Sequence, residues 1–496
     1  MQKRTSGSTG AVTWRDTRLS TEHVAFGDRG RLPWIEVASR APYFVTQHGH
    51  AWTPIGHNDA ITWPALQPLW RSRDVARVEA HVRDLVANGV TVLRLMLECS
   101  QNQHRFLERA AGRFNPHVVS FWDQLVQICE RTGMRLMLTP FDTYWMWIKW
   151  RHHPYNSANG GPIGSPSTML VSKEARQAIK VRLTFAIERW GGSGAIFAWD
   201  LWNEIHVAQA EGRADGFVEF IADVSEHVRR LEQRLYGRTH LQTVSIFGPE
   251  LTDRPGLGLE EAIFRHPHLD FASIHTYAHG TIDDPADTVA PAVDMARIVR
   301  ASIAEIRDRR PFLDTEHGPI HKYKDKHRTL PAPFDDEYFR HLQWAHLAAG
   351  GAGGGMRWPN RNPHVLTAGM HAAQRALHDF LPSIDWTTFY RRPHAVTTTA
   401  PERVHAIACA DETQAVAWLV RRDTLGADGR LDAGAPALHV VARLSGLAPG
   451  DYRVTCWDTR AGRPGWQSLV AVASDGHLAV TLDLISDLAL GIGRAA

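Results

Sequence analysis

The sequence is poor in cysteine and has no long apolar run. Its 496 residues include four cysteines, Cys99, Cys129, Cys409 and Cys456. These are too few for a disulfide framework, and neither neighbouring pair has metal-site spacing, although a Cys409–Cys456 bridge stays open. No segment approaches the roughly 20 consecutive apolar residues of a membrane span, so we expect no membrane partner.

The chain also lacks a charge imbalance. It has 55 Lys and Arg against 53 Asp and Glu, a formal net charge of +2, and no block of like charge. This balance does not favour nucleic acid or an anionic membrane as a partner. The N-terminal stretch MQKRTSGSTGAVTWRD lacks the apolar core of a secretory signal. We therefore expect a cytoplasmic protein, while a signal removed from the sequence stays open.

What the sequence does contain, from about residue 42, is an alternation of short apolar runs and amphipathic segments. Continuous runs such as GVTVLRLML (89–97) predict strands buried on both faces. Segments such as 73–89 repeat apolar residues at i, i+3 and i+4, which predicts helices. The candidate strands, counting a hairpin as the first, are 43–56, 89–97, 134–141, 195–202, 241–248, 270–277, 311–318 and 352–359.

Eight such units over about three hundred residues predict an α/β fold, a closed (β/α)₈ TIM barrel. No GxGxxG turn follows the first strand, which disfavours a dinucleotide-binding sheet. After Pro382 the chain changes to short strand-like runs separated by Gly, Pro and Asp, which predicts an all-β sandwich. The expected organisation is an N-terminal extension (1–41), a barrel (42–385) and a C-terminal β-sandwich (390–496).

Polar residues lie at the ends of the predicted barrel strands. Because active sites of such barrels form at the carboxyl ends of the strands, these residues are expected to lie together. In strand order they are Asn58, Arg94, Asp142 with Tyr144, Asn203 with Glu204, His275 with Tyr277, Glu316, and Trp358.

Two carboxylic acids, Glu204 and Glu316, end the fourth and seventh strands. Hydrolysis of a glycosidic bond with retention needs two carboxyl groups about 5–5.5 Å apart, one to protonate the leaving oxygen and one to attack the anomeric carbon. The acid needs a pKa raised by burial and by neighbouring negative charge. A nearby Arg94 and the Tyr277 hydroxyl would keep the nucleophile ionised.

All of the strand-end groups other than the two acids are candidate contacts to a sugar substrate. Asn203 is placed to hydrogen-bond the sugar 2-hydroxyl, His275 to orient or tune Glu204, and Trp358 to form a flat floor under the ring. Glu98 is an alternative sugar contact, and Asp200 and Asp314 are candidate supports for the two acids. The loop after the third strand carries Trp145, Trp147 and Trp150, which either stack on sugar rings or fold the loop onto the barrel.

We expect no metal and no cofactor. His48 and His50 lie at the predicted hairpin turn, remote from the strand ends where a metal-dependent hydrolase places its ligands.

In the order and spacing of these strand-end motifs, residues 42–380 resemble the retaining glycosidases on (β/α)₈ barrels, and most of all glycoside hydrolase family five. The resemblance makes Glu204 the acid/base and Glu316 the nucleophile. It also matches Arg94, the His275-Thr276-Tyr277 motif and Trp358 to the family's site residues. Members usually carry a His after the third strand, where this chain has Thr139-Pro140-Phe141-Asp142.

The resemblance extends to two further segments. The segment 147–162 is similar to loops of bacterial endo-mannosidase-like members, and GDYRVTCWDTRAG to an accessory β-sandwich. The resemblance implies an oligo- or polysaccharide substrate with a β-linkage. The alternatives are a non-catalytic carbohydrate-binding barrel and a metal-dependent amidohydrolase-like barrel. The sugar, endo or exo action, the role of the sandwich and the oligomeric state stay open.

Overall fold

The computed structural model describes residues 32–98, 106–279, 281–321 and 328–495. Most of the expected N-terminal extension (1–41) and Cys99 therefore lie outside the described residues. The strands up to the end of the barrel are β1 (Ile35–Val37), β2 (Phe44–Thr46), β3 (Ala51–Trp52), β4 (Gly56–Asp59), β5 (Val92–Met96), β6 (Glu108–Ala110), β7 (Arg113–Phe114), β8 (Arg135–Thr139), β9 (Ile196–Asp200), β10 (Leu241–Thr243), β11 (Ala272–His279), β12 (Phe312–Ile320) and β13 (Met356–Arg357).

Helices separate most of the barrel strands. They are α1 (Gln67–Ser72), α2 (Val75–Ala87), α3 (Pro116–Thr132), α4 (Thr143–Ile148), α5 (Lys173–Trp190), α6 (Asp215–Tyr236), α7 (Pro249–Asp253), α8 (Ala290–Glu305), α9 (Ala332–Ala348) and α10 (Ala368–Phe380). Polar side chains cap several of them: Asp74 accepts from the Arg77 N–H and Ser172 from the Ala175 N–H. Such caps satisfy backbone donors that a helix leaves unpaired. None of the described helices combines the length and the apolar character that a membrane crossing requires.

The predicted barrel is confirmed. Eight strands pair side by side in the order β10-β9-β8-β5-β4-β13-β12-β11, each parallel to its neighbours. The ring closes between β10 and β11, where the His275 N–H donates to the Ile246 carbonyl and the Gly248 N–H to the His275 carbonyl, both at 2.8 Å. Because all strands run the same way, their carboxyl ends meet at one rim.

The first barrel strand differs from the prediction. The hairpin at 43–56 forms, with its turn at Gly49 (φ +81°), but β2 and β3 join β1 in a separate antiparallel sheet. The barrel strand is the polar Gly56–Asp59 segment, and Asn58 therefore lies within it rather than after it. The apolar pattern did not predict this strand because its side chains are polar. They are nevertheless buried, since they have polar partners inside the fold, such as Arg94 beside Asn58.

The predicted C-terminal sandwich is also confirmed as a fold. Its strands are β14 (Arg392–His394), β15 (Val396–Thr398), β16 (Val404–Ala410), β17 (Gln414–Arg421), β18 (Leu438–Leu444), β19 (Gly450–Asp458), β20 (Arg463–Val472), β21 (Leu478–Leu484) and β22 (Asp487–Arg494). A six-stranded sheet (β14-β16-β17-β22-β19-β20) faces a three-stranded one (β15-β18-β21). In β21 every second residue from Leu478 is buried, as expected of a strand with one face on a core.

Buried polar contacts attach the sandwich to the barrel. Arg340 of α9 lies 3.0 Å from Asp487 of β22, and Asp487 also accepts from the indole N–H of Trp418. The Arg391 guanidinium donates to the Gly350 and Pro42 carbonyls at 2.8 and 2.7 Å. The possible Cys409–Cys456 bridge does not form; both cysteines are free and buried.

Candidate active site

Glu204 and Glu316 lie together at the carboxyl rim of the barrel. Glu204 follows β9, whereas Glu316 is a member of β12 rather than the residue after it. The Nδ1 atom of His275 lies 2.9 Å from Glu204 Oε1 and 3.8 Å from Glu316 Oε2. One carboxylate oxygen of each glutamate and one ring nitrogen of His275 all lie within 4.8 Å of one another. The fold thus joins two acids that are far apart in the chain.

The backbone of Glu204 adopts an unusual conformation. Its φ angle of +50° is in the left-handed region, which costs a non-glycine residue about 1–2 kcal/mol. Its N–H donates to Ser245 Oγ at 3.2 Å, and that hydroxyl donates to Asp200 Oδ2 at 3.0 Å. Ser245 thereby holds the Glu204 backbone in place. It was not among the predicted residues, although it is a hydroxyl within the apolar run 241–248.

Glu204 is suited to hold a proton. Burial raises the pKa of its carboxyl to about 7, and the negative charges of Asp200 and Glu250 add to the effect, while Arg94 opposes it. The neighbouring His275 is neutral at pH 7, because burial lowers its imidazole pKa to about 4. Glu204 can therefore hold a proton near neutral pH.

Glu316 accepts hydrogen bonds from Arg94 and Tyr277, which favour its ionised form. Burial raises the pKa of its carboxyl, but hydrogen-bond donors and a cation favour the ionised form. The Arg94 guanidinium donates to Oε2 at 2.8 Å, and the Tyr277 hydroxyl donates to Oε1. These contacts position the carboxylate and hold its negative charge in a buried site.

Arg94 links four strands beneath the two acids and is 1 % exposed. Besides Glu316 it donates to Asp200 Oδ2 at 2.7 Å, to Asn203 Oδ1 at 2.5 Å and to Asn58 Oδ1 at 2.8 Å. A buried guanidinium without anionic partners would be strongly unfavourable, and here two carboxylates compensate it. Arg94 thus lies in direct contact with Glu316, close to the acids as the sequence predicted.

Asn58 and Asp142 are buried and contact other side chains of the site. Asn58 Nδ2 donates to the Thr315 carbonyl at 3.0 Å, so this amide spans β4, β5 and β12. Asp142 accepts from Asn203 Nδ2 at 2.6 Å and caps α4 at the Trp145 N–H. Burial, with the charge of Glu204, raises the pKa of Asp142 to about 7. Both residues thus fix the groups that face the site.

Aromatic side chains line the rim on two sides. Trp358 follows β13 and meets Trp63 edge to face, with ring centroids 5.0 Å apart; Trp63 was not predicted. Across the barrel, the exposed Tyr144 packs on the edge of Trp145 at 5.0 Å. Trp147 is also exposed.

Other candidates support the surrounding structure. Trp150 stacks on His153 and donates to the Gly164 carbonyl at 3.2 Å, so this tryptophan folds the loop. Asp314 Oδ1 accepts from the Glu316 N–H at 3.1 Å, as expected of a support. Glu98 was an alternative sugar contact, but it forms an ion pair with buried Arg182.

Among the described residues, one group of His, Cys, Asp and Glu is close enough to hold a metal ion: Glu204, His275 and Glu316. Glu204 and Glu316 of this group are also the catalytic candidates, and His275 is the residue expected to orient or tune Glu204. Arg94 donates to one carboxylate of this set. His48 and His50 are exposed at the hairpin turn and are not part of the group.

No family model matches the chain, and no curated protein matches it significantly. Solved structures do resemble it over nearly its whole length. One, described as a glycoside hydrolase, is 13% identical, covers 94% of this chain and 98% of its own, and has a TM-score of 0.61. A glycoside hydrolase family 5 structure from Bacteroides vulgatus ATCC 8482 is 12% identical, covers 94% and 95%, and has a TM-score of 0.60. At such low identity, this likeness establishes the fold, including both the barrel and the sandwich.

Proposed function

We propose that the protein is a retaining glycoside hydrolase that cleaves a β-linked glycoside or polysaccharide by double displacement. The observation that carries this proposal is the pair Glu204 and Glu316, whose nearest oxygens lie within 4.8 Å. Retaining glycosidases place their carboxyl groups about 5–5.5 Å apart, and inverting ones about 6.5–9.5 Å, to admit a water. The short gap supports direct attack by a carboxylate.

In the first step, a Glu316 carboxylate oxygen attacks the anomeric carbon and forms an ester, while the bond to the leaving oxygen breaks. Glu204 gives its proton to that oxygen. In the second step, Glu204, now ionised, takes a proton from water, whose oxygen displaces Glu316 from the anomeric carbon. Glu204 ends protonated and Glu316 ionised. Burial of Glu204 and the Arg94 contact to Glu316 support these roles.

The neighbouring residues fit the substrate contacts that this mechanism needs. Asn203 is fixed by Arg94 and Asp142 and retains one amide hydrogen for a sugar hydroxyl. Trp358, Trp145 and Tyr144 offer flat faces for sugar rings. In this proposal Asn58 and Asp142 position Arg94 and Asn203 rather than touch the sugar.

The test is an assay of the Glu316→Ala and Glu204→Gln variants on a panel of aryl β-glycosides and polysaccharides. Acid–base groups contribute about 10²–10⁴-fold, so Glu204→Gln should lose at least a hundredfold in kcat/KM on substrates whose leaving oxygen needs a proton. Glu316→Ala lacks the nucleophile and should lose at least a hundredfold on every substrate of the panel. Glu226→Gln, at an exposed helix position paired with Arg230, is the control and should keep full activity. Full activity of either site variant would refute the proposal. Sugar binding by calorimetry without turnover of any panel member would favour a non-catalytic barrel.

A further inference from the structure

Strand β20 of the sandwich, Arg463–Val472, is an edge strand that is exposed on both of its faces. It lies at one end of the six-stranded sheet and pairs with β19 alone among the described strands. Every residue from Arg463 to Leu469 is exposed, so solvent reaches both faces over that stretch. Leu469 is 67% exposed, more than any other large apolar side chain of the described residues. A long backbone edge with an apolar side chain near its middle is therefore open to a partner.

The other edges of the sandwich sheets are short or carry charge. Strand β14 has three residues, one of them Pro393, and β15 also has three residues. Strand β21 is longer but carries Asp483. Short strands, proline and charge are the usual means by which proteins prevent an edge from pairing with another strand. In β20 the eight residues GWQSLVAV (465–472) contain neither charge nor proline, so this edge alone lacks that protection.

The direction of the β20 backbone groups follows from the pairing on the far side of β19. The Ala495 N–H donates to the Asp451 carbonyl at 2.8 Å, so the Asp451 backbone faces β22. Because backbone direction alternates along a strand, Val454, three residues on, faces β20, where it pairs with Ser468. Ser468 therefore faces β19. Its neighbour Leu469 points its N–H and C=O groups away from the sheet, toward a strand that could be added there.

The charges that flank β20 match those of a second, antiparallel copy of the strand. Arg463 begins the strand and Asp475 follows its end; both are exposed, and no charged residue lies between them. Leu469 is midway, six positions from each. Antiparallel pairing centred on Leu469 brings Arg463 of each copy to the end where Asp475 of the other copy lies. Parallel pairing in register would instead place like charges together, which is unfavourable.

We propose that β20 is a dimer interface, at which a second copy of this chain pairs antiparallel about a two-fold axis through Leu469. The outward N–H and C=O groups at Leu469 bond to those of the other copy, and the two leucine side chains meet at the axis. The contact joins the two six-stranded sheets into one. Because it uses the same surface on both copies, it closes after two chains. This inference does not depend on the proposed glycosidase function.

The experiment is sedimentation velocity of the full chain at about 1 to 100 μM, the range in which small interfaces associate. We expect the wild type to shift with concentration from the chain mass of 55.5 kDa toward twice that mass. Leu469→Lys places two like charges at the axis and should weaken the dimer at least about tenfold. Ile485→Lys is the matched control, because Ile485 is a 46% exposed apolar residue of the same sandwich, and it should dimerise like the wild type. Circular dichroism checks that both variants are folded.

A charge exchange tests the antiparallel register. Arg463→Asp turns two attractive pairs into repulsive ones and should weaken the dimer about tenfold. Combining Arg463→Asp with Asp475→Arg restores opposite charges and should bring the dissociation constant back to within about threefold of wild type. A wild-type monomer at every concentration, or assemblies larger than two copies, would overturn the proposal. A dimer that Leu469→Lys leaves unchanged would overturn it as well, and so would a charge exchange that restores nothing.

Discussion

Glu204 should set the alkaline limit of activity near pH 7. The mechanism needs its proton for the leaving oxygen, and burial raises the pKa of this carboxyl to about 7. With that pKa, about nine in ten molecules carry the proton at pH 6 and about one in ten at pH 8. The ordinary glutamate pKa of 4.5 would leave only about one in three hundred protonated at pH 7. On phenyl glycosides kcat/KM should therefore fall about tenfold from pH 6 to pH 8.

The choice of leaving group tests whether the fall in kcat/KM between pH 6 and pH 8 arises from deprotonation of Glu204. A 2,4-dinitrophenyl glycoside of the same sugar needs no proton on its leaving oxygen, so its kcat/KM should stay flat between pH 6 and 8. The Glu204→Gln variant should lose at least a hundredfold on the phenyl glycoside and far less on the dinitrophenyl glycoside. Glu204 is not the acid if kcat/KM falls equally for both substrates between pH 6 and pH 8. The same holds if the Glu204→Gln variant loses the same factor in kcat/KM on both substrates.

Two other side chains give predictions of defined size. Tyr277→Phe removes the hydroxyl that donates to Glu316, a hydrogen bond to a charged group worth about 1.5–3 kcal/mol, so kcat/KM should fall about ten- to a hundredfold with the fold intact by circular dichroism. Unchanged kinetics would contradict this contact. Asp487→Asn removes the nearer of the two carboxylates beside Arg340, since Glu337 remains at 3.7 Å, and should lower the free energy of unfolding by about 1.5–3 kcal/mol in urea titrations at pH 7. Because the Arg340 cation and hydrogen bonds hold the pKa of Asp487 far below its usual range, this stability is present above about pH 4 and is lost as the pH falls. A difference that does not shrink below pH 4 would count against this ion pair.

Sequence patterns predicted the parts of the molecule that follow simple periodicity. The apolar run before Asn203-Glu204 becomes β9, and the i, i+3/i+4 pattern of 73–89 becomes α2, with Asn88 as its C-cap. Parallel strands of a barrel bring their carboxyl ends to one rim. The positions of Glu204 and Glu316 at strand ends in the sequence therefore predicted that the two side chains lie close together.

Other features depend on three-dimensional partners that no local pattern contains. The first barrel strand is missed because Gly56–Asp59 is polar, and its burial depends on partners such as Arg94 and Gln374 from elsewhere in the chain. The pairing of Glu98 with Arg182 joins residues 84 positions apart, and the role of Ser245 depends on the left-handed backbone of Glu204. The His206–Glu250 contact, at 3.3 Å, likewise joins the segment after β9 to helix α7.

Covalent trapping tests the central claim most directly. A 2,4-dinitrophenyl 2-deoxy-2-fluoro-β-glycoside of the preferred sugar combines a fast leaving group with a slow second step, so the glycosyl ester should accumulate. Digestion and mass spectrometry should then find one sugar per chain, attached to Glu316. A label on Glu204 or another carboxylate, or rapid turnover of the unfluorinated glycoside without any label, would contradict the account.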